Sequence, residues 1–315
     1  MGLKTWKINS KGGIGMLSAP AWLSDRFLWL GRPFFSSYLL LGDQYALIEA
    51  GISCSALEVI KQMQALQIDQ RKLRYLILMH AHPDHTTGLL PLREQYPWLQ
   101  IASSEKAAEM LKREKVLSAF WEEDQFLCSA LAGQKISQQR WEQRKTDPLI
   151  VQRILRDGDH IDLGGGIQLT ALLTPGHSPC SLSIWQEEMK ALFISDAAGF
   201  EVSLQQDFPC YFYSYSDYIE SLRRLLEKEA EVLAPAHRPP ILGKEAVAKY
   251  LQRAIATAET LCHHIQQRIN DGQPAMEIEQ HLVTHYYHDN LTLYSQRNIQ
   301  GCVNALIKQS RIAPF

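Results

Sequence analysis

The stretch His80-Ala81-His82-Pro83-Asp84-His85 follows directly on the apolar run Tyr75-Leu76-Ile77-Leu78-Met79. It constrains the fold more than any other feature of the chain. The run is short, mostly aliphatic and preceded by the charged Arg71-Lys72-Leu73-Arg74, which predicts a buried strand. From His85 to Tyr96 the leucines at 89, 90 and 92 sit at helical positions, with Gly88 weakening the pattern. The six residues therefore span a strand end, a tight loop and a helix start, the place where α/β sheets build their sites. His80 and His82 are two apart on extended backbone, so they point to the same side. Asp84 and His85 follow where the chain turns and can aim at a neighbouring point. Three imidazoles and a carboxylate suit zinc or another first-row metal better than calcium or magnesium, which prefer oxygen ligands.

One motif is not a complete site, and the chain repeats the design. Thr174-Pro175-Gly176-His177-Ser178 follows the apolar run Ile167 to Leu173. Ala191-Leu192-Phe193-Ile194-Ser195 runs into Asp196. Glu231 to Ala236 reads as a strand and ends at His237. Each is an apolar strand with a metal-ligating residue type at its C-terminal end, and five of the 11 histidines fall in these positions.

This series, H-x-H-x-D-H, then P-G-H, then an apolar run ending in Asp, then a late His, resembles the metallo-β-lactamase superfamily over roughly residues 25 to 245. The resemblance implies an α/β fold, a four-layer αβ/βα sandwich, with two divalent metal ions in a cleft at its edge. His80, His82 and His177 would hold the first ion; Asp84, His85 and His237 the second; Asp196 would bridge them. The ions would be zinc, or iron or manganese, since donor types alone do not select among these. Such a pair would make water nucleophilic near neutral pH for attack on an acyl carbonyl. Asp84 and Asp196 would also accept or return the proton. Glu49, in Ile48-Glu49-Ala50-Gly51, stands where the superfamily usually carries an Asp that supports the metal loop.

Lys115 to Thr146 breaks the strand–helix alternation and reads as a helical insertion, with Leu117, Phe120 and Trp121 on one face. Many members of the superfamily line the substrate cleft with such an insertion. From Gly243 the pattern becomes helical throughout. Leu251, Ile255, Ala258, Cys262, Ile265 and Ile269 mark one long helix, Ile278, Leu282 and Tyr286 a second, Ile299, Val303 and Leu306 a third. The expected organisation is residues 1–242 as the metallo-β-lactamase domain, with the insertion at about 115–147, and 243–315 as a cap over the cleft. The tail holds seven Lys or Arg against six Asp or Glu, so it offers no basic face for nucleic acid. His281, His285 and His288 at i, i+4 and i+7 read as a polar helix face.

Together, Glu49, the histidine motif, the Asp196-Ala197 pair and the three-helix tail resemble the PqsE-type quinolone signal response proteins, which are 2-aminobenzoylacetyl-CoA thioesterases. In that subfamily the tail restricts access to the metals and a tail serine, matched here by Ser295, faces the pocket. A Glu found there four residues after the bridging Asp is Phe200 here, with Glu201 next. The implied function is hydrolysis of a thioester or ester of a small acyl substrate, an aromatic acyl-CoA being one form. Phe120, Trp121, Phe200, Tyr211, Tyr213 and Ser295 are the candidate pocket residues. The alternatives are a lactonase or phosphodiesterase using the same ligands, and a regulatory protein acting through a partner. A bulky β-lactam fits poorly beneath a covering tail.

Composition sets the remaining bounds. A formal net charge of −2 gives no electrostatic case for nucleic acid or an anionic membrane. No apolar stretch approaches a membrane span. The six cysteines contain no C-x-x-C pair and read as reduced thiols of a cytoplasmic protein. Cys180, three residues past His177, reads as a small core residue. The N-terminus shows no export signal, and Gly12-Gly13-Ile14-Gly15 reads as a turn with no helix after it. Apolar tail surface leaves a homodimer open.

Overall fold

The computed structural model describes residues 18–32, 34–132 and 149–314. The Gly12–Gly15 turn and the 133–147 part of the insertion lie outside the described residues. The first sheet has seven strands in sequence order: β1 (Ala21–Ser24), β2 (Phe27–Arg32), β3 (Phe35–Leu41), β4 (Tyr45–Ile48), β5 (Leu73–Ile77), β6 (Gln100–Ser103) and β7 (Arg153–Ile154). The first four form an antiparallel meander, and β4 to β7 are parallel. The second sheet has the order β15-β14-β11-β10-β9-β8. Its strands are β8 (His160–Asp162), β9 (Gln168–Leu173), β10 (Leu182–Gln186), β11 (Ala191–Ser195), β14 (Val232–Pro235) and β15 (Ile241–Leu242), and β12 (Phe200–Ser203) pairs with β13 (Gln206–Phe208) as a separate hairpin. The helices are α1 (Ser53–Ala65), α2 (Pro83–Thr86), α3 (Leu89–Gln95), α4 (Glu105–Met110), α5 (Glu114–Ala132), α6 (Tyr215–Leu226), α7 (Lys244–Asn270), α8 (Ala275–Tyr286) and α9 (Gln296–Ile312).

Strand alternation builds the layers, because successive side chains on a strand point to opposite faces. Phe27, Trp29, Tyr38 and Leu40 meet Leu169, Ala171, Ala191 and Phe193 between the two sheets. Their neighbours Leu28, Leu30 and Leu39 pack on the other face against Ala56, Val59 and Met63 of α1. Leu192, Ile194 and Leu233 of the second sheet face α6, and the same cluster continues through α7 and α8 to Val303 and Leu306 of α9. The result is the expected four-layer αβ/βα sandwich.

The predicted helix from His85 to Tyr96 is broken into α2 and α3 at Thr87-Gly88. The Gly88 amide donates to the Gly51 carbonyl, and a Cβ on Gly88 would lie 2.1 Å from the Ala50 oxygen. The histidine loop is thus pressed against the end of β4. The tail contains helices α7, α8 and α9 and, among the described residues past β15, no strand pair of a winged helix.

Candidate metal centre

Strand direction gathers the site. Strands β4 and β5 run parallel. β9 and β11 each pair antiparallel to β10, so they run together, and β14 is parallel to β11. Their C-terminal ends therefore meet at one edge of the sandwich and deliver Glu49, the His80–His85 loop, His177, Asp196 and His237. Two residues here adopt left-handed backbone that costs a non-glycine residue energy: Glu49 at φ 70° and Ser195, just before Asp196, at φ 50°. Gly176 brings the His177 loop against α6, where a Cβ would lie 2.3 Å from the Tyr218 Cα.

The hydrogen bonds behind the imidazoles fix which nitrogen faces inward. His177 Nδ1 lies 3.1 Å from the Cys210 carbonyl and His237 Nδ1 2.7 Å from the Phe34 carbonyl. A carbonyl only accepts, so both Nδ1 atoms donate. His85 Nδ1 likewise donates to Glu49 Oε2 at 3.0 Å. In a neutral imidazole the other nitrogen then carries a lone pair. Inside the site, His177 Nε2 sits 3.2 Å from His80 Nε2 and 3.0 Å from His82 Nδ1, and His85 Nε2 sits 3.2 Å from His237 Nε2. Asp196 Oδ1 is 3.1 Å from His237 Nε2 yet has no hydrogen-bond partner. Lone pairs at such distances repel unless a proton or a metal cation lies among them. The donor set thus fits divalent metal ions: inward nitrogens, buried carboxylates and outward N–H groups anchored from behind.

Two groups of donors emerge, with ligand atoms within 4.8 Å of one another: His80, His82, His177 and Asp196, and Asp84, His85 and His237. Asp196 Oδ2 reaches toward both, 3.4 Å from His177 Nε2 and 3.3 Å from His85 Nε2. Glu49 also clusters with His80 and His85, but it holds the His85 nitrogen that points away, so it orients a ligand.

Protonation follows the same division. Burial, reinforced by the neighbouring histidines, holds His80 well below its ordinary value. Burial, then His177, lowers His82 to about 3. Burial also lowers His177. These three are neutral donors at pH 7. Burial opposes a proton on His85, but Asp196, Glu49 and Asp84 together hold it well above its ordinary value. The same contest, decided by Asp196, raises His237. Burial disfavours ionising Asp196, yet His85 and His237 hold its carboxyl well below the usual range.

Beside the donors lies a cavity of about 290 Å³. Phe200, one of the sequence candidates, lines it with Phe208, Phe212, Leu291, Tyr294 and Ile299. Other candidates lie elsewhere. Trp121 is buried, and Phe120 half-buried, in the cluster between α1 and the first sheet. Tyr211 is fully buried and bonds Ser310. Tyr213 is exposed, beneath Lys106. Cys180 is buried, and its sulfur accepts from the Ala81 amide.

Ser295 does not line the cavity. Its hydroxyl accepts from the Asn298 amide as the N-cap of α9. The residue before it does: the Tyr294 hydroxyl donates to Asp84 Oδ2 at 2.7 Å. A serine followed by Gln296-Arg297-Asn298 and a helical pattern is an N-cap signal, and it identifies Ser295 as structural. Nothing local in the sequence marks Tyr294, because its partner is 210 residues away.

A family model described as Metallo-beta-lactamase superfamily matches residues 31–237. The chain is 26% identical over 264 residues to the acyl-coenzyme A thioesterase MBLAC2 of Homo sapiens, covering 77% of this chain and 88% of that protein. It is 28% identical over 255 residues to the protein of the same name from Gallus gallus, covering 78% and 86%. Its fold is similar to that of the metallo-beta-lactamase family protein TTHA1429 from Thermus thermophilus, with a TM-score of 0.60 at 19% identity over 90% of this chain and 93% of that one. With well over half its length matched by the family model, the chain belongs to the metallo-beta-lactamase superfamily and is a hydrolase of that fold.

Proposed function

We propose that the chain hydrolyses a thioester or ester of a small acyl substrate, with two divalent ions held in the cleft. His80, His82 and His177 would hold one ion and Asp84, His85 and His237 the other, with the Asp196 carboxylate within reach of both groups. The supporting observation is the pair of inward-facing donor groups on either side of Asp196, opening onto an apolar cavity. The curated relatives named as acyl-CoA thioesterases favour a thioester; the PqsE-type resemblance favours an aromatic acyl group. Bound ions would supply a water made nucleophilic at neutral pH and would polarise the carbonyl.

The chain's own residues do the rest. Phe35 and Phe200 pack on the His237 ring, and Phe212 on that of His177, which fixes their aim. The phenylalanine wall keeps bulk water from the reacting carbonyl. The Asp84 and Asp196 carboxylates face the cavity and are the groups that take up and return a proton. The water oxygen forms the new C–O bond and the C–S bond breaks. The proton given up by water passes to the leaving thiolate, releasing a thiol and a carboxylic acid.

Among the described residues, no lysine or arginine lines the cavity, which disfavours a phosphodiester. We assign 1–242 to the hydrolase domain and 243–315 to a cap that closes the cleft. No described helix is long and apolar enough to cross a membrane. All six cysteines are free thiols, as a cytoplasmic setting would keep them.

The test measures metal content and turnover on one preparation, for wild type and Asp196→Ala. Two metals per chain, with hydrolysis of an aromatic acyl-CoA and a simple aryl thioester lost in the variant, is the expected result. Two metals without turnover of any thioester shifts the reading to lactones or phosphodiesters. A folded protein that takes up no metal removes the hydrolytic reading.

A further inference from the structure

We propose that the cavity selects an uncharged, apolar acyl group, and that the small residues α9 presents to it set how much of that group it admits. The inference rests on the thioesterase reading above. The cavity is shared with the donor groups that line it, so only the part beyond them receives the acyl group. Beyond the donor groups, the wall offers an acyl chain little that is polar. The Tyr294 hydroxyl is spent on Asp84, and the Asn298 side-chain oxygen accepts from the Cys302 thiol. With no cation among the described lining residues, an acyl carboxylate would be stranded there.

Helix α9 presents Asn298, Gly301, Cys302 and Ala305 to the cavity. That is the i, i+3, i+4, i+7 face of one helix. The opposite face, with Val303, Leu306 and Ile307, is buried in the core.

Gly301 carries the argument. It lies inside α9, where glycine is a poor helix former. It is absent from the positions with left-handed backbone. A Cβ placed there would touch nothing within 4 Å. Neither conformation nor packing calls for a missing side chain. Gly301 is exposed and still lines the cavity, so it stands at the mouth. The space it leaves keeps the rim open to an acyl group, and a bulky residue there narrows it.

The experiment compares kcat/KM for acetyl-, butyryl-, octanoyl-, decanoyl-, palmitoyl- and succinyl-CoA in wild type, Gly301→Leu and Asn304→Leu. Asn304 is exposed on α9 and does not line the cavity, so it controls for added bulk. In wild type, kcat/KM should rise about fourfold per methylene from butyryl to decanoyl. Succinyl should lie at least tenfold below butyryl. In Gly301→Leu the decanoyl-to-butyryl ratio should drop tenfold or more, with helical content kept; Asn304→Leu should leave the ratio unchanged. Calorimetric binding of a thioether analogue of decanoyl-CoA, lacking the carbonyl, to metal-depleted protein should weaken by the same factor in Gly301→Leu. An unchanged ratio and unchanged analogue binding in folded Gly301→Leu overturn the proposal, as does a wild type that prefers acetyl or succinyl. If wild type turns over none of the six and no aromatic acyl-CoA or aryl thioester either, the thioesterase reading has failed, and analogue binding decides the role of α9 by itself.

Discussion

Replacing Tyr294 by Phe removes one oxygen and leaves the aromatic packing. The ring stands edge-on to Phe200 at 5.7 Å and is buried. Its hydroxyl donates to Asp84 Oδ2 at 2.7 Å. Burial, with Asp84 beside it, holds the phenol well above its ordinary value, so it remains a donor throughout the working pH range. A hydrogen bond to a charged acceptor is worth about 1.5–3 kcal/mol. Asp84 Oδ2 keeps its approaches to His237 Nε2 at 3.4 Å and His85 Nε2 at 3.6 Å, which favours the lower end, about 1.5–2 kcal/mol. At about 2 °C per kcal/mol for a chain of this size, Tm of the chelator-treated protein should fall by about 3–4 °C. Because the same oxygen faces the second donor group, loss of its orienting partner should weaken one metal equivalent by about tenfold or more. The assay is a thermal scan in chelator, then metal titration of the stripped protein. A Tm within 1 °C of wild type together with unaltered affinity for both equivalents would refute the reasoning.

Three further outcomes are expected. Glu49→Gln exchanges a carboxylate at His85 Nδ1 for a neutral amide, so one metal equivalent should bind about 10–100-fold more weakly; equilibrium dialysis that finds both sites intact argues against the orienting role. Gly88→Ala forces a methyl toward the Ala50 oxygen, and urea unfolding should show a loss of about 3 kcal/mol, with a shift under about 0.5 kcal/mol counting against the close approach. Asp157 accepts from both terminal nitrogens of Arg224 at 2.8 Å and from the Leu173 amide. Although burial opposes it, those bonds lower its folded pKa, so its stabilisation is complete above about 4, the unfolded value, and fades as pH falls through the lower folded value. The pair is part-exposed, so Asp157→Asn should cost at most about 1 kcal/mol at pH 7 and flatten the stability profile below pH 4.

The seven proposed ligands were legible because each belongs to a local pattern: an apolar strand followed at once by a histidine or aspartate. Strand alternation in Phe27-Leu28-Trp29-Leu30 and Ala191-Leu192-Phe193-Ile194 likewise announces sheets covered on both faces. Ser295 entered the candidate list on a positional match, whereas its local sequence carries an N-cap signal, and it caps α9 outside the cavity lining. Phe120 and Trp121 sit on a helix whose buried face serves the core under α1, and periodicity shows that a face is buried but not against what.

The sequence by itself determined the strand ends, the donor types and the helical character of the tail, since these depend on contacts within a few residues. Tertiary structure alone decided that Glu49 turns His85, that Tyr294 reaches Asp84, and that Gly301 stands at the cavity mouth. Those relations join segments 36 to 210 residues apart, and they exist only after the two sheets pack and the tail helices join the same core. Local propensity carries no record of which surfaces then meet.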